Sequence, residues 1–440
     1  MMRLSSQALS IIFFAVVITS QLGSHQAQAE RLECTPWGCP FLPLDVVVNE
    51  GAHTSLTKLR SLLDGEMEND SPQDGNTDKL DMTEEEALEN LLPSGDMDKS
   101  TLTLVGDKGG GPHQVNQDRA MIYSPYKIPN NERYDKHTQL LGVFDGHGDG
   151  GELTSQHASS ELPKLLSEKL GQISSLDDHE AVSKTISDVF VEIDQSDPSK
   201  GEGGCTASIV LQIGHKIYVA NAGDSVSFIA ALIDGQVDVA YQSREDKPDL
   251  PDEKARIESM GGYVHIPKNE DEDVPRAYYV DDDGVARYGL AMSRSLGDWS
   301  VQGVIPEPIV DVLDVSELIG DTITEYAEAC AEAKEEVKGK DVELTCETID
   351  PSDVRLLAMS ATDGLMDFLD AEDIASVLAA AFYVEDNPHP HVASEFLILT
   401  AAERWDQTYG GEYRDDIALS AFKIYSDDSI LSEGAARSEL

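Results

Sequence analysis

Apolar residues recur along this chain in two rhythms. Leu140–Phe144, Thr206–Ile213, Lys216–Ala220, Val226–Ile233, Arg355–Ala361 and Ile417–Ile424 are alternating or β-branched runs bounded by turn formers, a pattern that predicts strands. Gly214-His215 and Asp234-Gly235 each separate two such runs and predict tight hairpins. Elsewhere the period is helical. Leu153, Ala158, Leu162, Leu165, Leu166 and Leu170 make one stripe over 152–170, and Val182, Ile186, Val189, Phe190 and Ile193 make another over 180–194. These two helices should lie antiparallel on a sheet, with Pro163 expected to kink or restart the first. Residues 374–383 and 393–404 also read as helices, and 324–337 as a surface helix. The order of strands, helix pair, strands, helices and a last strand argues against a doubly wound parallel sheet. It predicts an α+β fold of antiparallel sheets with segregated helices.

The flanks read differently. Arg3, the apolar run Ala8–Thr19 and Ala27-Gln28-Ala29 have the layout of a secretory signal over 1–29, too short in its apolar part to span a bilayer. A retained signal-anchor is the alternative. Residues 30–100 form an acidic extension whose part 64–99 has few large apolar residues and reads as flexible, apart from a capping box at Thr83 and Glu86 that would start one short helix. The globular part is expected over 101–427, with an acidic insertion at 311–353 and a tail at 428–440. Across 440 residues, 83 acids against 32 bases give a formal charge of −51. That field argues against nucleic acid and anionic membrane as partners, and a solvated acidic surface or an acidic face with a specific task would account for it.

Five cysteines fit an oxidising compartment. Cys34 and Cys39 lie close together, Cys330 and Cys346 flank an acidic segment, and Cys205 in an apolar setting reads as a buried free thiol. Three pairings of the outer four remain open. Asn69-Asp70-Ser71 is a concordant glycosylation sequon. The terminal ARSEL departs from an ER-retention tetrapeptide at Ser438, so secretion and ER residence both remain open.

Aspartates punctuate the ends of the strand-like runs: Asp118, Asp145, Asp224, Asp363 and Asp415-Asp416. One such residue is an ordinary turn former, but several at strand ends suit a hard cation such as Mg2+ or Mn2+, which takes oxygen ligands and keeps several waters. A calcium-loop reading of Asp145, His147, Asp149 and Gly150 fails, because Gln156 stands where that loop needs a bidentate Glu.

With NQDR (116–119), VFDGHGDGG (143–151), GGCTA (203–207), ANAGDS (220–225), ARIESMGG (255–262), LAMSRSLGD (290–298), VIPEPIV (304–310), ATDGLMD (361–367) and RDDIALSAF (414–422) in this order, the chain resembles the metal-dependent serine/threonine protein phosphatases of type 2C over 101–425. The resemblance implies an αββα sandwich of two central antiparallel sheets with a two-metal centre at one end. It assigns Asp145 as the bridging ligand, with Gly146 (through its carbonyl), Asp363 and Asp415 completing one Mg2+ or Mn2+. Asp118 would act at the second metal, Asp224 with Asp363 at a looser third position, and His147 as general acid for the leaving alkoxide.

The motifs also depart from the family pattern. His113 stands where the family often has the phosphate-holding Arg, Gln117 replaces a frequent Glu, Val226 ends what is usually GDSR, and Asp416 replaces an Asn, which leaves Asp415 and Asp416 as alternative ligands. His113, Lys108 and Arg119 are therefore the candidates for holding phosphate. The implied function is metal-dependent hydrolysis of phosphoserine and phosphothreonine by a monomer acting on phosphoprotein substrates. A catalytically silent phosphatase-like binding module and a small-molecule phosphomonoesterase are the alternatives.

Overall fold

The computed structural model describes residues 97–426, apart from 110–113, 132, 135, 269–273, 281–282, 284, 337, 339–345, 347 and 385–388. His113, the signal, the acidic extension up to residue 96, Cys34, Cys39, the sequon and the tail lie outside the described residues, while Lys99 and Ser100, expected in the extension, belong to the first strand. Along the chain the elements are β1 (Lys99–Leu104), β2 (Arg119–Tyr123), β3 (Thr138–Phe144), β4 (Gly146–Gly148), α1 (Gly151–Leu170), α2 (His179–Gln195), β5 (Gly203–Cys205), β6 (Ala207–Ile213), β7 (Lys216–Ala222), β8 (Val226–Ile233) and β9 (Gln236–Gln242). They continue with α3 (Pro251–Ser259), β10 (Tyr263–His265), β11 (Arg276–Val280), β12 (Ala286–Leu290), β13 (Leu296–Gly297), β14 (Ile309–Asp314), α4 (Val315–Glu336), β15 (Arg355–Ala361), α5 (Asp363–Met366), α6 (Ala371–Tyr383), α7 (Pro390–Tyr409) and β16 (Ile417–Lys423).

Two five-stranded sheets result, ordered β1-β16-β15-β8-β9 and β14-β7-β6-β3-β2, and every pairing within them is antiparallel. Their strands are apolar on both faces because each sheet is covered twice. In β3, Leu141 points into the layer between the sheets with Val210, Val219, Ile229, Leu356 and Phe422, whereas Leu140 and Phe144 meet Leu162, Leu166 and Phe190 of α1 and α2. The other sheet buries Phe228, Met359 and Leu419 under Leu378, Leu397 and Trp405 of α6 and α7. Each fully buried phenylalanine here contributes about 2–3 kcal/mol through removal from water. The α+β fold is thus a four-layer αββα sandwich.

Between the sheets one group of inward positions is polar. Ser208 and Ser227 are hydrogen-bonded at 2.7 Å, Ser227 and Ser360 at 2.5 Å, and the Ser420 hydroxyl donates to the Met121 carbonyl across the gap. These buried hydroxyls satisfy one another, so they tie sheet to sheet with little desolvation penalty.

The structure modifies three expectations about elements. Helix α1 continues through Pro163 without restarting, and the Pro163 carbonyl accepts a hydrogen bond from the Tyr126 hydroxyl. Helix α4 starts at Val315 rather than Thr324, and its first half is no surface helix: Val315, Leu318 and Ile319 pack into the inter-sheet core. Of the three open cysteine pairings, Cys330–Cys346 is formed, with Cα atoms 5.9 Å apart, and Cys205 is buried and free. No helix among the described residues is long and apolar enough to cross a membrane.

Between β9 and β14 the chain is anchored by one buried carboxylate. Glu253 on α3 accepts from Arg244, Arg294 and the Ser293 hydroxyl, and pairs with Arg256 at 2.7 Å. Burial alone would raise its pKa, but Arg294, Ser293 and Arg256 reverse that and bring the carboxyl down to about 2. A carboxylate with a depressed folded pKa contributes stability above its ordinary value, and that contribution fades as pH falls from the usual carboxylate range toward 2. Glu253→Gln keeps the size but leaves three guanidinium groups short of their partner. It is expected to lower unfolding free energy at pH 7 by about 3 kcal/mol in urea titrations, with a smaller deficit near pH 3.

Candidate active site

The aspartates predicted from the sequence come from both sheets and meet at one end of the sandwich. Asp145 directly follows β3, with its backbone N–H bonded to the Thr206 hydroxyl at 3.0 Å and its carbonyl accepting from the Thr206 N–H at 2.9 Å. Asp118 precedes β2 and is wholly buried, accepting from the Thr362 hydroxyl at 2.8 Å. Asp363 opens α5 directly after β15. Asp224 lies in the turn between β7 and β8, where Lys247 donates to its Oδ2 at 2.8 Å. Asp415 precedes β16 and is contacted by Lys108 Nζ at 2.5 Å and by the Tyr413 hydroxyl at 3.0 Å. Gly146 begins β4 and is buried.

Asp415 and Asp416, which the sequence leaves as alternatives, do different things. Asp416 is buried and accepts backbone N–H groups of Gly106 and Gln117 at 2.7 and 3.0 Å, so its carboxylate clamps two loops. Asp415 faces the other acids, and its charge acts on Asp118, Asp145 and Asp363 alike. Among the candidates for phosphate, Arg119 is engaged locally: it donates to the carbonyls of Asn116 and Asp118 and to Gln156. Lys108 instead points into the acidic group, 3.4 Å from Asp416 as well as against Asp415.

The electrostatics of this group run strongly in one direction. Burial, then Asp118, Asp363 and Asp415, push the Asp145 carboxyl well above its usual range. Asp118 is raised likewise by burial, only partly opposed by Thr362, and Asp363 rises to about 7 through burial, Asp224 and Asp415. Neighbouring anions out of water demand positive charge. Three of their oxygens, Asp118 Oδ1, Asp224 Oδ1 and Asp363 Oδ1, are buried without a hydrogen-bond partner, the condition of oxygen donors suited to a cation. Among the described residues no three acids are already gathered around one point. Lys108 and Lys247 supply the local positive charge instead, and the acids they face hold both ammonium groups above their ordinary pKa despite burial.

Beside the acids is a second, smaller assembly. Strands β4, β5 and β13 form a three-stranded sheet in the order β13-β5-β4, pairing His147 with Gly204 and Gly204 with Gly297. This brings Asp298 Oδ2 to 2.6 Å from His147 Nε2, and the Ser295 hydroxyl donates to the same oxygen at 2.6 Å. Position 204 must be glycine, since a Cβ there would lie 2.1 Å from Asp298 Oδ2 and 2.8 Å from His147 Nε2. Burial works against charge on the imidazole, but Asp298, then Asp224 and Asp363, outweigh it and hold the ring above its ordinary pKa. His147 Nδ1 is buried and has no hydrogen-bond partner.

Asp298 is the functional candidate that sequence reasoning missed, although the motif containing it was in view. A Gly-Asp pair signals only a turn; the residue's role depends on β13 pairing with β5, and a two-residue strand leaves no periodic trace. Asp149, two residues beyond His147, is exposed in the turn that leads into α1.

Comparison with known proteins agrees with this geometry. Residues 110–406 match the family model described as Protein phosphatase 2C. The chain is 30% identical over 226 residues to Probable protein phosphatase 2C 61 of Arabidopsis thaliana, covering 49% of this chain and 64% of that protein. It is 27% identical over 324 residues to Probable protein phosphatase 2C 64 of Oryza sativa subsp. japonica, covering 72% of this chain and 63% of that one. The chain thus spans a little under two thirds of these relatives. The crystal structure of serine-threonine phosphatase 2C from Toxoplasma gondii superposes with a TM-score of 0.53 at 18% identity, over 74% of this chain and 95% of that one, a likeness of fold.

Proposed function

Because the chain belongs to the protein phosphatase 2C family, we propose that it hydrolyses phosphoserine and phosphothreonine esters of proteins with the help of Mg2+ or Mn2+. The observation that carries this reading is the group of mutually repelling buried acids with three partnerless oxygens, an arrangement that fits divalent cations. Asp145, Gly146, Asp363 and Asp415 would hold one cation, Asp118 would act at a second, and Asp224 with Asp363 would serve a third, looser one. Such cations, when bound, lower the pKa of water and neutralise charge on phosphoryl oxygens.

The chain's own residues do the rest. Asp145 is fixed from both sides of its peptide by Thr206, which holds its carboxylate at the mouth of the sandwich. His147 stands next to it with Nε2 held by Asp298, which fixes the ring that would deliver a proton to the departing serine or threonine oxygen. Asp416 keeps the loops at Gly106 and Gln117 in place around the acids. Among the described residues the one free thiol takes no part: Cys205 is buried, and burial raises its thiol well above the usual range, so it is inert as a nucleophile.

The Cys330–Cys346 bridge favours an oxidising compartment and supports the proposal that the protein works in the secretory pathway, in the ER lumen or outside the cell; the proposed acting form is a monomer.

Purified protein should release phosphate from a phosphothreonine peptide when Mn2+ is present and cease to do so in EDTA. Absence of Mn2+-dependent turnover on both that peptide and p-nitrophenyl phosphate would leave the silent binding module. Strong preference for the small ester would point to the phosphomonoesterase.

A further inference from the structure

Next to the small sheet that carries His147 lies an open cleft of about 620 Å³, lined by Asp149, Lys200, Gly201, Glu202, Trp299 and Ser300. We infer that this cleft is a subsite for a basic side chain of the substrate, an arginine or lysine close in sequence to the phosphorylated residue. The inference rests on the phosphatase reading above and adds a substrate class to it.

Position comes first. All three segments that line the cleft are extensions of β4, β5 and β13: Asp149 follows His147 by two residues, Gly201 and Glu202 lead into Gly203-Gly204, and Trp299 follows Asp298. The cleft thus opens beside the strands that carry His147, within reach of a residue flanking the phosphorylated one.

The wall is built rather than incidental. Trp299 leaves 49% of its surface open, which is unusual for a tryptophan held in place on both sides. Its indole N–H donates to Asp194 Oδ1 at 3.0 Å, and the Gly297 N–H donates to the same oxygen at 2.8 Å. The ring lies over Gly201, where a Cβ would come within 2.6 Å of Trp299 Cγ. Gly201 has φ +73° and is itself fixed, because its N–H donates to Asp197 Oδ2 at 2.9 Å while Asp197 also takes the Ser199 hydroxyl. A rigid aromatic face therefore meets solvent at low entropic cost.

The chemistry of the occupant follows from charge. An indole face attracts a cation, most strongly when its N–H is bonded to a carboxylate, as here. Two carboxylates, Asp149 and Glu202, oppose one ammonium, Lys200, so the lining is net negative and sits in a chain of charge −51. A planar guanidinium can lie on the ring while the acids pair with its edge. An acidic or apolar side chain gains neither contact.

The test uses the full chain with Mn2+ and phosphothreonine peptides in which one arginine is moved through the flanking positions, against a control with glutamine there. At the matching position the arginine peptide should show kcat/KM about tenfold above the glutamine peptide, carried by KM. Trp299→Ala and Glu202→Gln should each reduce that preference to within about twofold, Trp299→Phe should retain most of it, and p-nitrophenyl phosphate turnover should stay unchanged in all three variants. Binding is read separately, as quenching of tryptophan emission by the arginine peptide that is lost in Trp299→Ala. Peptides hydrolysed equally well with no such quench overturn the subsite while the phosphatase reading stands. Quenching without hydrolysis overturns the phosphatase reading and leaves the cation subsite. Neither signal overturns both.

Discussion

Replacing Asp145 with asparagine should abolish turnover while making the metal-free fold harder to unfold. Activity is expected to fall by about three orders of magnitude or more, near 4 kcal/mol of barrier, because a carboxylate that would hold the cations loses its charge. In EDTA the same change removes one of several anions that repel one another out of water, and should raise unfolding free energy by about 2 kcal/mol. Melting curves with EDTA and with Mn2+ decide the matter. Wild type should gain far more from Mn2+ than Asp145→Asn does, and a variant with near wild-type turnover would sink the assignment of this acid.

The second large effect concerns His147. In His147→Ala the phosphothreonine peptide should turn over about a hundredfold more slowly, since an alkoxide leaves poorly without a proton. Turnover of p-nitrophenyl phosphate should change by no more than about threefold, because a stabilised phenolate needs no such help. Asp298→Asn is expected to follow the same substrate pattern more weakly: it leaves the ring in place but weakens its hold at Nε2. Equal slowing on both esters would mean that His147 acts structurally.

What the sequence made legible was the part built on long-range repetition. Val226–Ile233 and Arg355–Ala361 are strands with the bounds their apolar patterns predict, because both faces of each are covered and every position carries the signal. Helix α2 differs from its expected range by one residue at each end, and Asp178 caps it by accepting from the Ala181 N–H. The hairpin into the edge strand β9 was legible at Asp234-Gly235, whereas β1, β2, β4, β5 and β10 to β14 were not foreseen. Strands β4, β5 and β10 are three residues long and β13 two, so pairing partners rather than pattern define them. The same division holds in the site. The aspartates could be found because each ends a strongly apolar run, whereas the distinction between Asp415 and Asp416 depends on which backbone N–H groups fold back onto the second, from residues 106 and 117, about three hundred positions earlier.

That distance has a consequence for how the molecule comes into being. Strand β16 is not an edge: it lies between β1 and β15, so the first strand of its sheet has no neighbour until the last one is made. During vectorial synthesis β1, Asp118 and Asp145 emerge long before Asp363 and Asp415, and a nascent chain that has left the ribosome as far as α7 still lacks a strand in the middle of a sheet. The phosphatase chemistry proposed for this chain is therefore withheld until β16 itself has been made. A transcript truncated before residue 417 should yield an aggregation-prone polypeptide with an open sheet seam rather than a weakly active enzyme.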